Sequence, residues 1–281
     1  APEVFPLGET IVTWTATDDY GNTISNIQLI TVLDTISPQI AAPSDFQIEA
    51  GHIENNVIEL IGVRASDDVE ITTITNDAPE VFPLGETIVT WTATDSSGNS
   101  ASDYQQILVI DTTSPSITVP SNIEVEIYDK MGIEIDTGNA VSDDIIDSQS
   151  TITNDAPTVF PLGETIVTWT ATDFSGNSAS ATQTITVVDT TAPVVENLDL
   201  LKFEATTQND NLIEIPLINA SDNTEIVSIT NDAPILFEFG TTIINWSIVD
   251  ISGNQYFVEQ QIDLVDTTSP TIIAPVNVEV E

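Results

Sequence analysis

The chain contains no cysteine among its 281 residues. That excludes disulfides, thiol nucleophiles and zinc–thiolate sites, so core packing must hold it together, with or without metal. Basic residues are nearly absent as well. Arg64, Lys130 and Lys202 face 45 acidic residues, for a formal net charge of −42. Such a field repels phosphate backbones and anionic lipid, which excludes nucleic acid and acidic membrane surfaces as partners. It also favours high salt or bound divalent cations. No run of about 18 apolar residues occurs, so no helix of this segment inserts into a membrane. The single histidine, His52, has no Ser or Cys nucleophile motif beside it and reads as a surface residue. No carboxylate pair stands out as a hydrolase dyad. Residues 37–113 hold no lysine, so Lys–Asn cross-links cannot be a general stabiliser. The expectation is a protein that is not an enzyme.

What is present is a repeat. Gly85-Glu-Thr-Ile-Val-Thr-Trp-Thr-Ala-Thr-Asp95 has counterparts at Gly8 to Asp18, Gly163 to Asp173 and Gly240 to Asp250. The tryptophans Trp14, Trp91, Trp169 and Trp246 recur every 77 or 78 residues. Inside each copy Val89, Trp91 and Ala93 alternate with threonines, as a strand with one buried face requires. All four tryptophans are therefore expected in cores. A Gly-Asn pair follows each copy, supplying the positive φ of a hairpin turn. A 41% hydrophobic content with this periodicity argues against a disordered acidic chain.

No stretch carries a helical period with caps. Short strands punctuated by Pro, Gly, Asn and Asp read as all-β tandem immunoglobulin-like β-sandwiches in a linear rod. The pentapeptides beginning at Asp34, Asp111, Asp189 and Asp266 end in proline and read as short, stiff links. They divide the chain into a partial module at 1–36, complete modules at 37–113, 114–191 and 192–268, and a first strand at 269–281. Within a module a first strand passes a second proline (Pro43, Pro120, Pro275), which marks an edge or a bulge. A second strand is expected at Val57 to Val63, Gly132 to Asp136 and Leu212 to Leu217, leading into a Ser-Asp loop. A third strand precedes Asn-Asp-Ala-Pro.

Phe-Pro-Leu-Gly followed by Thr-Ile-Val-Thr-Trp-Thr-Ala-Thr-Asp-x-x-Gly-Asn, closed by Val-x-Asp-Thr-Thr-x-Pro, resembles the hyalin repeat (HYR). The resemblance spans the three complete modules and both fragments. It implies an immunoglobulin-like sandwich in extracellular adhesive or structural proteins. The paired cysteines of animal members are missing and Trp stands where Tyr is usual, which points to a prokaryotic branch.

Strand parity predicts that acidic groups of adjacent modules meet at each link. The first junction would gather Asp34 with Asp67, Asp68, Asp95 and Asn99. The second would gather Asp77 and Asp111 with Asp143, Asp144, Asp173 and Asn177. The third would gather Asp155 and Asp189 with Asp222, Asn223, Asp250 and Asn254. Oxygen ligands in that number suit Ca²⁺. The alternative is that Asp95 and its kin only accept turn hydrogen bonds and the other acids are solvated. Asn219 and Asn245 lie in glycosylation sequons.

These readings lead to a non-catalytic, extracellular or cell-surface rod in a filament, surface layer or stalk, partnered by copies of itself or by neighbouring modules. The rival is an adhesin or a glycan-binding accessory array. The chain opens half-way through a module and closes at Glu281, aligned with Glu126. That is expected of a piece of a longer polypeptide, or of strand addition between subunits.

Overall fold

A computed structural model describes residues 2–146, 149–196, 198–276 and 279, and every regular element among them is a β-strand. The expected strand after residue 269 falls partly outside them, at 277, 278, 280 and 281. The tryptophan strand and the strand after it form a hairpin in each copy. Gly85–Asp95 pairs antiparallel with Ser100–Ile110, and Gly240–Asp250 with Gln255–Val265, each in uniform register. The turn is closed by the Asp95 amide on the Asn99 carbonyl at 3.1 Å and by the Gly98 amide on the Asp95 carbonyl at 3.3 Å. Gly98 takes φ +92°, a conformation that a Cβ would penalise.

Compactness divides the chain into two units. The first comprises Ala1–Ser116, Ser142–Thr151 and Ala171–Ala179, and the second comprises Ile117–Val141, Ile152–Thr170 and Ser180–Glu281. The first unit holds the lone hairpin Gly8–Thr17 with Thr23–Val32, and a four-stranded sheet ordered Phe46–Glu49, Ser100–Ile110, Gly85–Asp95, Ile71–Asn76. Phe46–Glu49 runs parallel to its neighbour. A short pair, Gln39–Ala41 with Arg64–Ser66, makes the second layer. The second unit repeats this with the sheet Leu201–Glu204, Gln255–Val265, Gly240–Asp250, Ile226–Asn231 and the pair Val194–Val195 with Ala220–Ser221. The middle repeat has the same sheet order. The fold is thus all-β, a tandem array of β-sandwiches.

Two expectations about strands change. Of the two readings of Pro43 the edge holds and the bulge does not: it stands between Gln39–Ala41 and Phe46–Glu49, edge strands of different sheets, so the kink is where the chain switches layers. The expected second strands at Val57 to Val63, Gly132 to Asp136 and Leu212 to Leu217 are not ladder strands. Only single bridges flank or touch them, Asn56 to Phe82, Ile133 to Phe160 and Asn211 to Phe237. Their alternation is nonetheless real over 57–61, since Ile58 and Leu60 pack on the core while Val57 and Ile61 are exposed, and Val63 packs on it again after the phase breaks at Gly62. Period two reports which side chains are buried, and an unpaired extended segment satisfies it as well as a strand does.

The cores confirm three of the four tryptophans. Trp91, Trp169 and Trp246 are each at most 4% exposed, packed with Phe82, Phe160 and Phe237 in their respective clusters. Trp14 is 63% exposed and is not a core residue, because the hairpin that carries it has no facing sheet among the described residues. Each indole Nε1 donates to a glutamine fourteen residues on, Trp91 to Gln105 at 3.3 Å, Trp169 to Gln183 at 3.1 Å and Trp246 to Gln260 at 3.0 Å. The glutamine amide then donates to the carbonyl of Ser44, Ser121 or Asp199. A buried amide with both ends satisfied ties the tryptophan to the first-strand segment.

Candidate metal centres at the repeat junctions

Each junction begins at the aspartate that ends a closing strand. Asp34, Asp111 and Asp189 each accept, on Oδ1, the backbone N–H two residues ahead, from Ile36 at 3.0 Å, Thr113 at 3.0 Å and Thr191 at 3.1 Å. This Asx turn fixes the start of the link. A glutamate from the first strand holds the other side. Glu49 accepts the Thr112 amide at 2.7 Å and the hydroxyls of Thr112 and Thr113. Glu126 and Glu204 do the same for Thr190–Thr191 and Thr267–Thr268. The Thr112 amide foremost holds the Glu49 carboxyl below its ordinary value, and the Thr267 hydroxyl does so for Glu204. Sequence reasoning missed this clamp, although its signal was available: Glu49, Glu126 and Glu204 recur with the period of the repeat.

The Asp-x-x-Gly-Asn turns come next. Asp95 is 2% exposed. Its Oδ1 accepts the amides of Ser97 and Asn99, and its Oδ2 accepts Asn99 Nδ2 at 2.9 Å. Burial pushes the Asp95 carboxyl up, but these bonds outweigh it and leave it below the usual carboxylate range. Asp173 and Asp250 are buried in equivalent turns. Asn99, Asn177 and Asn254, expected as oxygen ligands, act as donors instead. Each amide nitrogen bridges its own turn aspartate to the carbonyl of the preceding junction aspartate, at 3.3 Å to Asp34, 3.2 Å to Asp111 and 3.1 Å to Asp189. An acceptor carboxylate on one side and a carbonyl on the other leave only the N–H₂ end suited to that position.

Asp77 and Asp155 do not reach the junctions. Asp77 Oδ1 accepts the Thr90 amide at 2.6 Å and Asp155 Oδ1 the Thr168 amide at 2.6 Å. Thr90 lies five residues along the strand from Gly85, the residue paired with Val109 near Asp111. At about 3.3 Å per residue that is a separation of roughly 17 Å. The Thr90 amide holds the Asp77 carboxyl below its ordinary value.

Among the described residues two acidic groups converge: Asp34, Asp67 and Asp95 in the first unit, and Asp189, Asp222 and Asp250 in the second, each trio with one carboxylate oxygen per residue within 4.8 Å of the others. Asp68 and Asp143 are exposed and join neither. The acidic loop of the middle repeat is shifted by one against the Ser-Asp motif. Asp67, Asp144 and Asp222 are the residues whose carboxylates accept the N–H two positions on, from Val69, Ile146 and Thr224. By position the middle counterparts are Asp111, Asp144 and Asp173, which are not among the carboxylate groups that converge within 4.8 Å, and Asp143 occupies the place of Ser66 and Ser221.

The last atoms of the junction aspartates differ. Asp189 Oδ2 accepts the Thr224 hydroxyl at 2.7 Å, and its Oδ1 accepts Asn223 Nδ2 at 3.1 Å. Burial pushes the Asp189 carboxyl up, and the bonds from Thr224, Thr191, Asn223 and Ser252 bring it below the usual range. Asp111 is 9% exposed, and its Oδ2 is buried with no hydrogen-bond partner. Thr224 was not anticipated; its sequence signal is a polar residue where the other copies carry Val69 and Ile146. Of the sequons, Asn219 is exposed before Ala220–Ser221. Asn245 is exposed in mid-strand, with its Nδ2 given to Asp232 at 2.7 Å.

Comparison with known proteins supports a HYR-like repeat. The HYR domain model matches residues 110–187. Hyalin of Strongylocentrotus purpuratus is 37% identical over 308 residues, covering 98% of this chain and 25% of that protein. Hyalin of Lytechinus variegatus is 34% identical over 303 residues, covering 96% and 55%. The chain thus spans from a quarter to about half the length of these relatives. Drosophila N-cadherin EC1-4 overlays 94% of this chain and 85% of that structure at 14% identity, with a TM-score of 0.31. The prokaryotic source expected from the missing cysteines gains no support, since the hyalins that align over nearly the whole chain come from sea urchins. One full period of a pattern that recurs along the sequence matches the HYR model, and the chain is a HYR-like repeat protein.

Proposed function

We propose that this chain is a non-catalytic, extracellular, adhesion-type structural protein whose modules, at 37–113, 114–191 and 192–268 with partial modules at 1–36 and 269–281, form a rod stiffened by Ca²⁺ at their junctions. The rod serves in a surface filament, layer or stalk, against copies of itself or further modules. The observation that carries this reading is the Asp111 carboxylate, buried with one oxygen unpaired beside a second repeat's turn. A buried charge is costly without a counterion or donors. No Lys or Arg lies within the link to serve, and a hard divalent cation supplies the missing charge.

Asp34, Asp67 and Asp95 would hold the first ion and Asp111, Asp144 and Asp173 the second, with backbone carbonyls and water completing the shell. Affinity on the order of 10⁻⁴–10⁻³ M would suffice outside a cell. The link is already pre-set by its Asx turn and glutamate clamp, so the ion has little chain entropy to overcome. Small-angle scattering in Ca²⁺ and then in chelator, at fixed ionic strength, tests the reading. A maximum dimension that becomes shorter and more variable in chelator supports it; an unchanged profile and melting temperature refute it.

A further inference from the structure

The junctions at Asp111 and Asp189 share one backbone frame. Both aspartates start an Asx turn, both have a glutamate-clamped link, and both receive the amide of a turn asparagine on their carbonyl. The loop of the following repeat then faces them with different chemistry. At Asp189 it offers Asn223, whose Nδ2 bonds Asp189 Oδ1 at 3.1 Å and the Ile127 carbonyl at 2.9 Å. It also offers Thr224, 3% exposed, whose hydroxyl lies 2.7 Å from both Asp189 Oδ2 and Asp222 Oδ2; its one proton serves Asp189, since Asp222 Oδ2 already accepts the Thr224 amide at 2.9 Å. At Asp111 the residues in those places are Ile145 and Ile146, whose side chains have no polar hydrogen to give. Ile146 is 5% exposed and belongs to the apolar cluster of Ala50 and Phe82, so an apolar side chain stands where Thr224 offers a hydroxyl. Asp111 Oδ2 is left as a buried charged acceptor without a donor.

From this contrast we infer that the chain carries two kinds of joint. The joint at Asp111 is completed by a divalent cation, whereas the joint at Asp189 is completed by Asn223 and Thr224 and needs none. This rests on the calcium reading above and refines it. Crowding of carboxylates is not the basis of the distinction: Asp189, Asp222 and Asp250 converge within 4.8 Å and their counterparts at Asp111 do not. The distinction lies in what remains unpaired. At the Asp189 joint the leftover acceptor is Asn223 Oδ1, a neutral amide oxygen, which costs far less to strand than half of a carboxylate. Of these two joints, the one at Asp189 is then rigid at all times and the one at Asp111 is calcium-responsive. Thr224 is the residue that decides which.

The test is calorimetric titration of the whole chain with CaCl₂, alongside Asp111→Asn, Asp189→Asn and Thr224→Val. The inference expects Asp111→Asn to remove about one bound Ca²⁺ per chain and Asp189→Asn to remove none. Thr224→Val, which strands Asp189 Oδ2 as Asp111 Oδ2 is stranded, should add about one. Equal losses from the two Asp→Asn variants, or a Thr224→Val chain that folds and binds as the parent does, would overturn the inference and leave the calcium reading standing. A parent chain that takes up no Ca²⁺ at millimolar concentration would overturn both. If Thr224→Val does not fold, the pair of Asp→Asn variants still decides.

Discussion

The joints at Asp111 and Asp189 are built from the same parts, yet they finish differently. In each, a Pro-terminated link is held by threonine bonds to a first-strand glutamate, and a turn asparagine reaches across to the preceding carbonyl. The frame fixes position. Whether the buried carboxylate is then satisfied depends on the side chains one and two residues beyond the loop aspartate, Ile145 and Ile146 in one case and Asn223 and Thr224 in the other. A repeat protein can thus duplicate a scaffold and retune a single joint by exchanging an apolar plug for a hydroxyl. Net charge alone, at −42, would have suggested identical behaviour throughout.

The largest expected effect comes from separating the joints by destroying one neighbour. Trp91→Ala opens a void in the core of Phe82, Val89 and Ile107 and should cost about 3–5 kcal/mol. The repeat that presents Asp111 should melt first and the Asp189 joint should persist, which a two-step thermal transition would show. Trp14→Ala, at a position 63% exposed, should shift neither step. A smaller effect follows from Thr224→Val in the absence of Ca²⁺. It strands one buried carboxylate oxygen, for a destabilisation of about 1–3 kcal/mol, measured by denaturant midpoint. An unchanged midpoint would mean that the Asp189 joint is not closed by its hydroxyl.

The smallest effect concerns acid. Glu204 has a folded-state pKa below its ordinary 4.5 through its bonds to Thr267 and Thr268. A carboxyl depressed by folding contributes order that is present above 4.5 and lost as pH falls through the folded value. Amide exchange at Thr267 should accordingly accelerate below about pH 4.5, relative to its intrinsic rate, and Glu204→Gln should show fast exchange at every pH. A pH-independent Thr267 in the parent chain would remove the clamp from the description of the links.

Much of the fold was legible because the signals are local and repeated. The Trp strand, its Gly-Asn turn and its hairpin partner follow from period two and a required positive φ. Other elements were not, because their signal was ambiguous. Ile58 and Leu60 alternate like a strand before the phase breaks at Gly62, yet bond no neighbouring strand, and Pro43 fits a bulge as well as a change of sheet. At the candidate site the convergence of Asp34, Asp67 and Asp95 followed from strand direction alone. Asp77 and Asp155 were misplaced because their carboxylates bond a strand interior, which sequence spacing does not reveal. In the middle loop Asp143 and Asp144 both fit the Ser-Asp motif, while the 77-residue period assigns Asp144, and not Asp143, to the place of Asp67. Trp14 shows the limit of inference by equivalence: the strand is the same, but burial needs a second sheet.

Peptide-resolved hydrogen exchange of the parent chain in Ca²⁺ and in chelator, at constant ionic strength and pH, tests most directly the claim that a cation completes the joint the protein leaves unfinished. Slower exchange in Ca²⁺ is expected in the segments at 111–115 and 142–146, with no change at 189–193 and 220–225. Equal protection at both joints, or none at either, would contradict it.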